Sequence, residues 1–301
     1  MEARLELDIG GNVMSDEYEP SEKAVKIVEK IKEMTGTSAI FIDRKPDTVL
    51  PSLTDSKFGG LPYWDLQKEF PTDSKGRKMM LLAQINFSDL SAFDTILPKE
   101  GMLQFFITVD DDVFGMDFDE PTSQKNFRVV FHDTVNPDVT EAQVQALELV
   151  RAEETDDYTP IFRQAALSFR VGTDYMDTSL AEFPAVFVQA VKAVTGEEID
   201  EENWYQYFEE GTDDDDYMAE ELSGLGHKML GYPGFIQFDP REDDEELQCY
   251  DTLLLQIDSD MGEDGEDYVL WGDCGVANLF INKEALIKRD FSQILYNWDC
   301  S

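Results

Sequence analysis

Histidine and cysteine are scarce in this 301-residue chain, at two and three residues. His132 and His227 have no Glu or His partner at zincin spacing, and no Gly-x-Ser-x-Gly elbow is present, so the common signatures of zinc and serine hydrolases are missing. Cys249, Cys274 and Cys300 form no Cys-x-x-Cys pair and leave one unmatched, which argues against a disulfide scaffold or a zinc motif and fits a reducing compartment. No apolar run approaches the roughly 18 residues of a membrane span. The opening MEARLELDIG lacks the basic and apolar regions of a secretory signal, so the expected location is cytoplasmic, away from membranes.

Bases are sparse too. Against 65 Asp and Glu stand 24 Lys and Arg, a formal charge of -41. Such a surface repels a phosphate backbone and an anionic bilayer, which excludes nucleic acid as the expected partner. Residues 1–150 hold 15 bases and 28 acids, and residues 151–301 hold 9 and 37, so the second half carries most of the excess. Two readings fit: a charge that keeps the chain soluble and monomeric, or a docking face for a basic protein or for cations. With 42% hydrophobic and 12% aromatic residues, a core is amply supplied.

Helical spacing of Ala24, Val25, Ile27, Val28, Ile31 and Met34 predicts an amphipathic helix from Ser21 to Met34, followed by a strand from Ala39 to Ile42. Short apolar runs between Gly, Pro, Asn and Asp predict strands at Met79–Asn86, Met102–Val109 and Phe127–His132. Residues 136–225 turn helical: a Thr140/Gln143 capping box, a helix from Ser179 to Thr195 whose start is pushed later by Pro184, and another from Asp200 to Glu209. Glu209 to Glu221, with eight acids and no base, reads as a solvated loop or helix end. Strand patterns return at Gly234–Phe238, Thr252–Asp258, Tyr268–Trp271, Val276–Ile281 and Ile294–Trp298, with an Asn282-capped helix over Glu284–Lys288.

The two β regions read alike. Lys57-Phe-Gly-Gly-Leu-Pro62 aligns with Lys228-Met-Leu-Gly-Tyr-Pro233, Gln84 in LLAQIN with Gln256 in LLLQID, and LQFFI ending at Ile107 with ANLFI ending at Ile281. The offsets are 171 (57 to 228), 172 (84 to 256) and 174 residues (107 to 281). The fold expected is therefore α+β: β-rich mixed sheets from an internal duplication of a 75-residue unit, with flanking helices. The organisation is residues 1–55 as an N-terminal helix and strand, 56–135 as a first repeat, 136–226 as a helical insertion and 227–301 as a second repeat. A groove between the two copies is the expected binding place.

SKFGGLPYW (56–64), LLAQINFSDL (81–90), LPKEGMLQFFI (97–107), HKMLGYP (227–233), LLLQIDSD (253–260) and WGDCGVANLFI (271–281) together resemble the YwqG-like proteins, a domain-of-unknown-function family. The resemblance runs from about residue 50 to the end and implies a β-rich mixed fold with flanking helices. It implies no reaction and no catalytic residues.

Tyr63 and Trp64 after the first Gly-Leu-Pro turn, and Trp271 before the last strand pattern, are core aromatics or the walls of that groove. Gln84 and Gln256, polar within apolar strands, need hydrogen-bond partners, most simply at the Gly-Pro turns, or a ligand. His227 and Asp273 complete the groove candidates. Asp258, Asp260 and Asp264 offer oxygens for weak cation binding without the frame of an EF-hand. Cys274 lies beside Asp273, Glu266 and Asp267, which disfavour a reactive thiolate. No cofactor or specific metal is expected. The leading functional expectation is a non-catalytic binding protein with an acidic surface for a basic protein partner, of the inhibitor or immunity type. A metal-assisted hydrolase in the groove and a small-ligand or sugar-binding module are the alternatives.

Overall fold

The computed structural model describes residues 19–155, 158–209, 211–242 and 244–301; the first 18 residues of the expected N-terminal unit and Glu210 of the acid run lie outside them. Apolar runs that are buried on both faces make the inner strands. These are β3 (Met80–Asn86), β4 (Met102–Ile107), β8 (Thr252–Asp258) and β11 (Val276–Ile281), of which β4 and β11 are buried along their whole length. They join β1 (Thr37–Arg44), β2 (Lys57–Phe58), β5 (Phe127–His132), β6 (Ala165–Asp174), β7 (Lys228–Leu230) and β12 (Leu295–Asp299) in one sheet of ten strands. The order is β12-β11-β8-β7-β1-β6-β2-β3-β4-β5, and every pairing is antiparallel. The central pair β1 and β6 thus carries one four-strand wing on each side. The two β regions expected to face each other across a groove are joined edge to edge through β1 and β6 in this single sheet.

The sheet curls. Tyr296 on β12 meets Phe105 on β4 and Phe127 on β5 at ring distances of 5.0 and 5.1 Å, so the two ends of the sheet close over a shared interior. The loop before β5 seals the gap: the Tyr296 hydroxyl donates to Phe114 O at 3.1 Å and the Trp298 indole N–H to Val113 O at 2.8 Å. One hydrophobic core, running from Ile40 and Phe58 through Leu103 to Leu279 and Tyr296, fills the inside.

Each wing closes its first turn with the same hydrogen bonds. In the first, the Gln84 amide nitrogen donates to Leu53 O and Asp55 O at 3.0 and 2.9 Å, and its oxygen accepts the Tyr63 N–H at 2.9 Å. In the second, the Gln256 amide donates to Gly224 O and Gly226 O, both at 2.8 Å, and its oxygen accepts the Gly234 N–H at 2.8 Å. Gln104 donates to Tyr63 O, and Asn278 to Gly234 O. A left-handed residue pair follows β2, Gly59-Gly60, and another ends β7, Leu230-Gly231. Both lysines are buried, with different partners. Lys57 Nζ donates to the carbonyls of Ser52, Leu53 and Leu61 at 2.6 to 3.2 Å, whereas Lys228 Nζ reaches the Asp174 carboxylate at 3.0 Å.

The helices form a layer with its own core. In α1 (Glu22–Thr35), capped by Ser21 Oγ, the Ala24, Ile27, Val28 and Ile31 face meets α3 (Phe183–Thr195) and α4 (Asp214–Glu221). The helix α3 starts at Phe183 with Pro184 in its first turn, where the missing N–H costs nothing. Asp200–Glu209 makes a 3-10 turn over Glu201–Gln206, broken at Asn203, in place of the expected helix. The segment expected to be a helical insertion also holds the longest strand, β6. Gly234–Phe238 forms no strand: the Asp299 carboxylate takes the N–H groups of Ile236 and Gln237, at 3.2 and 2.8 Å, that a ladder would have used. Short helices α2 (Glu141–Gln145) and α5 (Lys283–Ile287) carry the Thr140 capping box and the Asn282 cap. A two-stranded ribbon, β9 (Asp260–Met261) with β10 (Asp267–Val269), stands beside the sheet.

Candidate functional site

The aromatic candidates do not meet. Tyr63 is buried, with its hydroxyl accepting the Asn136 N–H at 2.9 Å, and Trp64 packs on Phe70 and Phe106 on the outer side of the first wing. Trp271 has no exposure and sits in the main core between Phe114 and Trp298, with its indole N–H lacking a partner. Gln84 and Gln256 are fully buried and spent on the turns. Asp273 lies exposed in the turn before β11, beside the exposed Cys274.

His227, Asp258, Asp260 and Asp264 do converge. They line an open groove of about 900 Å³ with the end of β1 and the loop after it, Phe41 to Asp47, and with Arg170. The backbone N–H of Asp258 donates to His227 Nδ1 at 2.9 Å, which places the ring proton on Nε2, 3.4 Å from Asp260 Oδ2. Arg44 clamps the same Asp260 through Nε and Nη2. Burial works to raise the Asp260 carboxyl, but the hydrogen bonds from His227 and Arg44 overcome it and hold the group at about 2. Asp258 moves the other way, pushed up by burial and only partly offset by the N–H groups of Gly226 and Ser259.

These contacts limit what the groove can do. With one nitrogen accepting and the other donating, His227 has no lone pair left to take a proton from a substrate. Among the described residues no three His, Cys, Asp or Glu side chains converge as metal ligands. The other imidazole, His132, is closed in the first wing against Tyr63 and Trp64, its Nε2 donating to Gln104 Oε1 at 3.0 Å. Burial and the nearby Lys68 push it down to about 4, so it is neutral at physiological pH.

A model of a protein family, a domain of unknown function (DUF1963), matches residues 56–300. The chain belongs to this family. A comparison with curated proteins gives no match. The DUF1963 match takes in both wings and β6 but omits α1 and β1, so Arg44, which fixes Asp260 in the groove, comes from outside it. Within the DUF1963 region lies a second, smaller cavity of about 450 Å³ that the sequence did not point to, with Glu153 at its wall. Glu153 is 93 residues from Gly60, the residue it binds, and no spacing rule joins them. The charge of Glu153 also hides it, as one of 65 acids.

Proposed function

We propose that this DUF1963 protein is a non-catalytic, cytoplasmic binding protein whose acidic helical layer engages a basic protein partner, as an inhibitor or immunity-type factor does. In the same reading it is a YwqG-like monomer, and its two wings are products of an internal duplication. One observation carries the function: between Lys192 and Lys228 the chain holds 13 acids and no base. Among the described residues, all of these acids except the buried Asp214 lie on the surface of α4, the 3-10 turn and the loops around them, and Tyr205 stands 58% exposed among them. Carboxylates around an exposed tyrosine suit arginine and lysine side chains, through ion pairs and ring faces. The charge is crowded enough to matter locally, since burial and then the neighbouring Asp216 and Asp214 raise the Asp215 carboxyl. The hydrolase alternative has less support, because His227 is engaged at both nitrogens.

The test is affinity capture from native lysate with the wild-type chain and with Asp215→Asn/Asp216→Asn/Glu220→Gln, three acids outside the contacts Asp213 and Asp214 make with the start of α1. The expected result is a basic protein retained at low salt, released as ionic strength rises, and bound at least tenfold more weakly by the variant. Equal retention by a correctly folded variant rules the acidic layer out as the binding face.

A further inference from the structure

We propose that the smaller cavity is a binding site for an organic cation, an ammonium or guanidinium head on an alkyl stem, with Glu153 as its counter-charge. This inference concerns a different part of the chain from residues 193–227 and does not rest on the acidic helical layer.

The cavity, about 450 Å³, is lined by Phe114, Tyr158, Ile161, Phe162 and Leu270 around Glu153. Its wall is held in place. Phe162 donates its N–H to Tyr268 O at 3.0 Å, Leu270 donates to Pro160 O at 2.8 Å, and Ile161 bridges to Val269. The Glu153 side chain is 9% exposed. Its Oε2 accepts the Gly60 N–H at 2.9 Å, and its Oε1 is buried with no hydrogen bond. Arg151 Nη1 lies 3.8 Å from Oε1, beyond hydrogen-bond reach, and its guanidinium is taken by Glu154, with Nε to Oε2 at 2.7 Å. Lys57, near the same turn, spends its ammonium on three carbonyls.

The turn at the end of β7 shows how the fold completes a buried carboxylate, that of Asp174 at the end of β6. There Asp174 accepts the Tyr232 N–H at 2.8 Å, as Glu153 accepts that of Gly60, and the same Asp174 oxygen takes Lys228 Nζ at 3.0 Å. The first wing has the carboxylate and the backbone donor, but the cation that faces it, Arg151 at 3.8 Å, makes no hydrogen bond to Oε1 and is shared with Glu154. A carboxylate oxygen can only accept, and a buried one without a hydrogen bond is costly, so a positively charged donor within hydrogen-bond reach is what the cavity lacks. The rings of Tyr158 and Phe162, 59% and 48% exposed, add faces that attract cations and repel anions. The volume falls in the range of small-ligand sites and accepts a short alkyl stem with its head.

Isothermal titration of the full chain with n-butylguanidinium and n-butylammonium, against neutral n-butylurea, tests the proposal. Both cations are expected to bind, and the urea at least tenfold more weakly. Glu153→Gln keeps an acceptor for the Gly60 N–H, and it should weaken the cations at least tenfold while leaving the urea unchanged. A Gly-Arg-Gly tripeptide that competes with n-butylguanidinium identifies a protein side chain as the source of the cation. A tripeptide that does not compete, with the free cation still bound, identifies a small free amine. Equal affinity for urea and guanidinium, or unchanged cation binding in Glu153→Gln, overturns the proposal. Should Glu153→Gln fail to fold, Tyr158→Ala/Phe162→Ala replaces it: a threefold or greater loss of cation affinity supports the site, and no loss overturns it.

Discussion

Two lysines at matching places in the wings are buried by different means, and the difference should be measurable. Burial pushes the Lys57 ammonium down to about 8, yet its three carbonyl acceptors use all three N–H bonds and favour the charged form at neutral pH. Lys57→Met removes the donor from three neutral carbonyls, with an expected cost of about 3 kcal/mol. Lys228→Met strands the Asp174 carboxylate and should cost about 3–5 kcal/mol, part of it recovered in Lys228→Met/Asp174→Asn. Urea midpoints of the three variants decide it, and no recovery in the double variant would mean that Asp174 is not charged in the fold. His132 gives a pH signature. Its folded form holds off protonation until about 4, against an ordinary 6.5, so the unfolded chain takes the proton first as pH falls. The stability present above pH 6.5 is then lost between 6.5 and 4, about 3 kcal/mol in all. Replacing His132 with Gln should flatten that part of the curve relative to wild type, whereas an identical slope in both would assign the acid sensitivity to other groups.

At the level of elements, the turn at the end of β7 is set by glycine more strictly than the turn after β2. A Cβ on Gly231, at φ +72°, would lie 2.3 Å from Asp174 Oδ2 and 2.9 Å from Ala39 Cβ, both fixed in the sheet. One on Gly60 would meet the movable end of Gln164, and one on Gly265 would meet nothing within 4 Å. Alanine at 231 should therefore cost about 3 kcal/mol, at 60 about 2 and at 265 about 1, in thermal unfolding. Elements with a strong local signal were legible in advance: α1, β3, β4, β5, β8 and β11 lie within a few residues of their predicted places, because their spacing or uninterrupted apolar runs do not depend on distant partners. The strand β6 was not legible. Leu167, Phe169 and Val171 alternate with Ser168, Arg170 and Gly172 at the period of a strand, but helical signals on both sides hide this short run, and Gly172 serves to admit the Phe41 ring, 131 residues away in sequence, 2.8 Å from where a Cβ would stand. The groove was half legible for the same reason: His227 and Asp260 stood out as residue types, but Arg44 joins them only through the β1–β7 pairing.

Considered as a whole, the molecule closes its curled sheet with side chains rather than with a continuous ladder, and it does so under a charge of -41. The closure is concentrated on Tyr296, fully buried between Phe105 and Phe127, with its hydroxyl on Phe114 O. Burial holds that phenol far above its ordinary range. Tyr296→Ala removes a large buried ring and should cost about 3–5 kcal/mol, whereas Tyr296→Phe loses only one hydrogen bond and should cost about 1–2. Self-repulsion acts on the same closed form, because folding brings the carboxylates of both halves onto one surface. Salt that shortens the screening length to about 8 Å at physiological strength should therefore raise the melting temperature of the wild type between 10 mM and 0.5 M sodium chloride. The rise should be smaller in Asp215→Asn/Asp216→Asn/Glu220→Gln, which relieves part of the crowding on the helical layer. A melting temperature that falls with salt would mean that the ion pairs, such as Arg44 with Asp260, outweigh the repulsion, and the acidic surface would then be no burden on the fold for a partner to relieve.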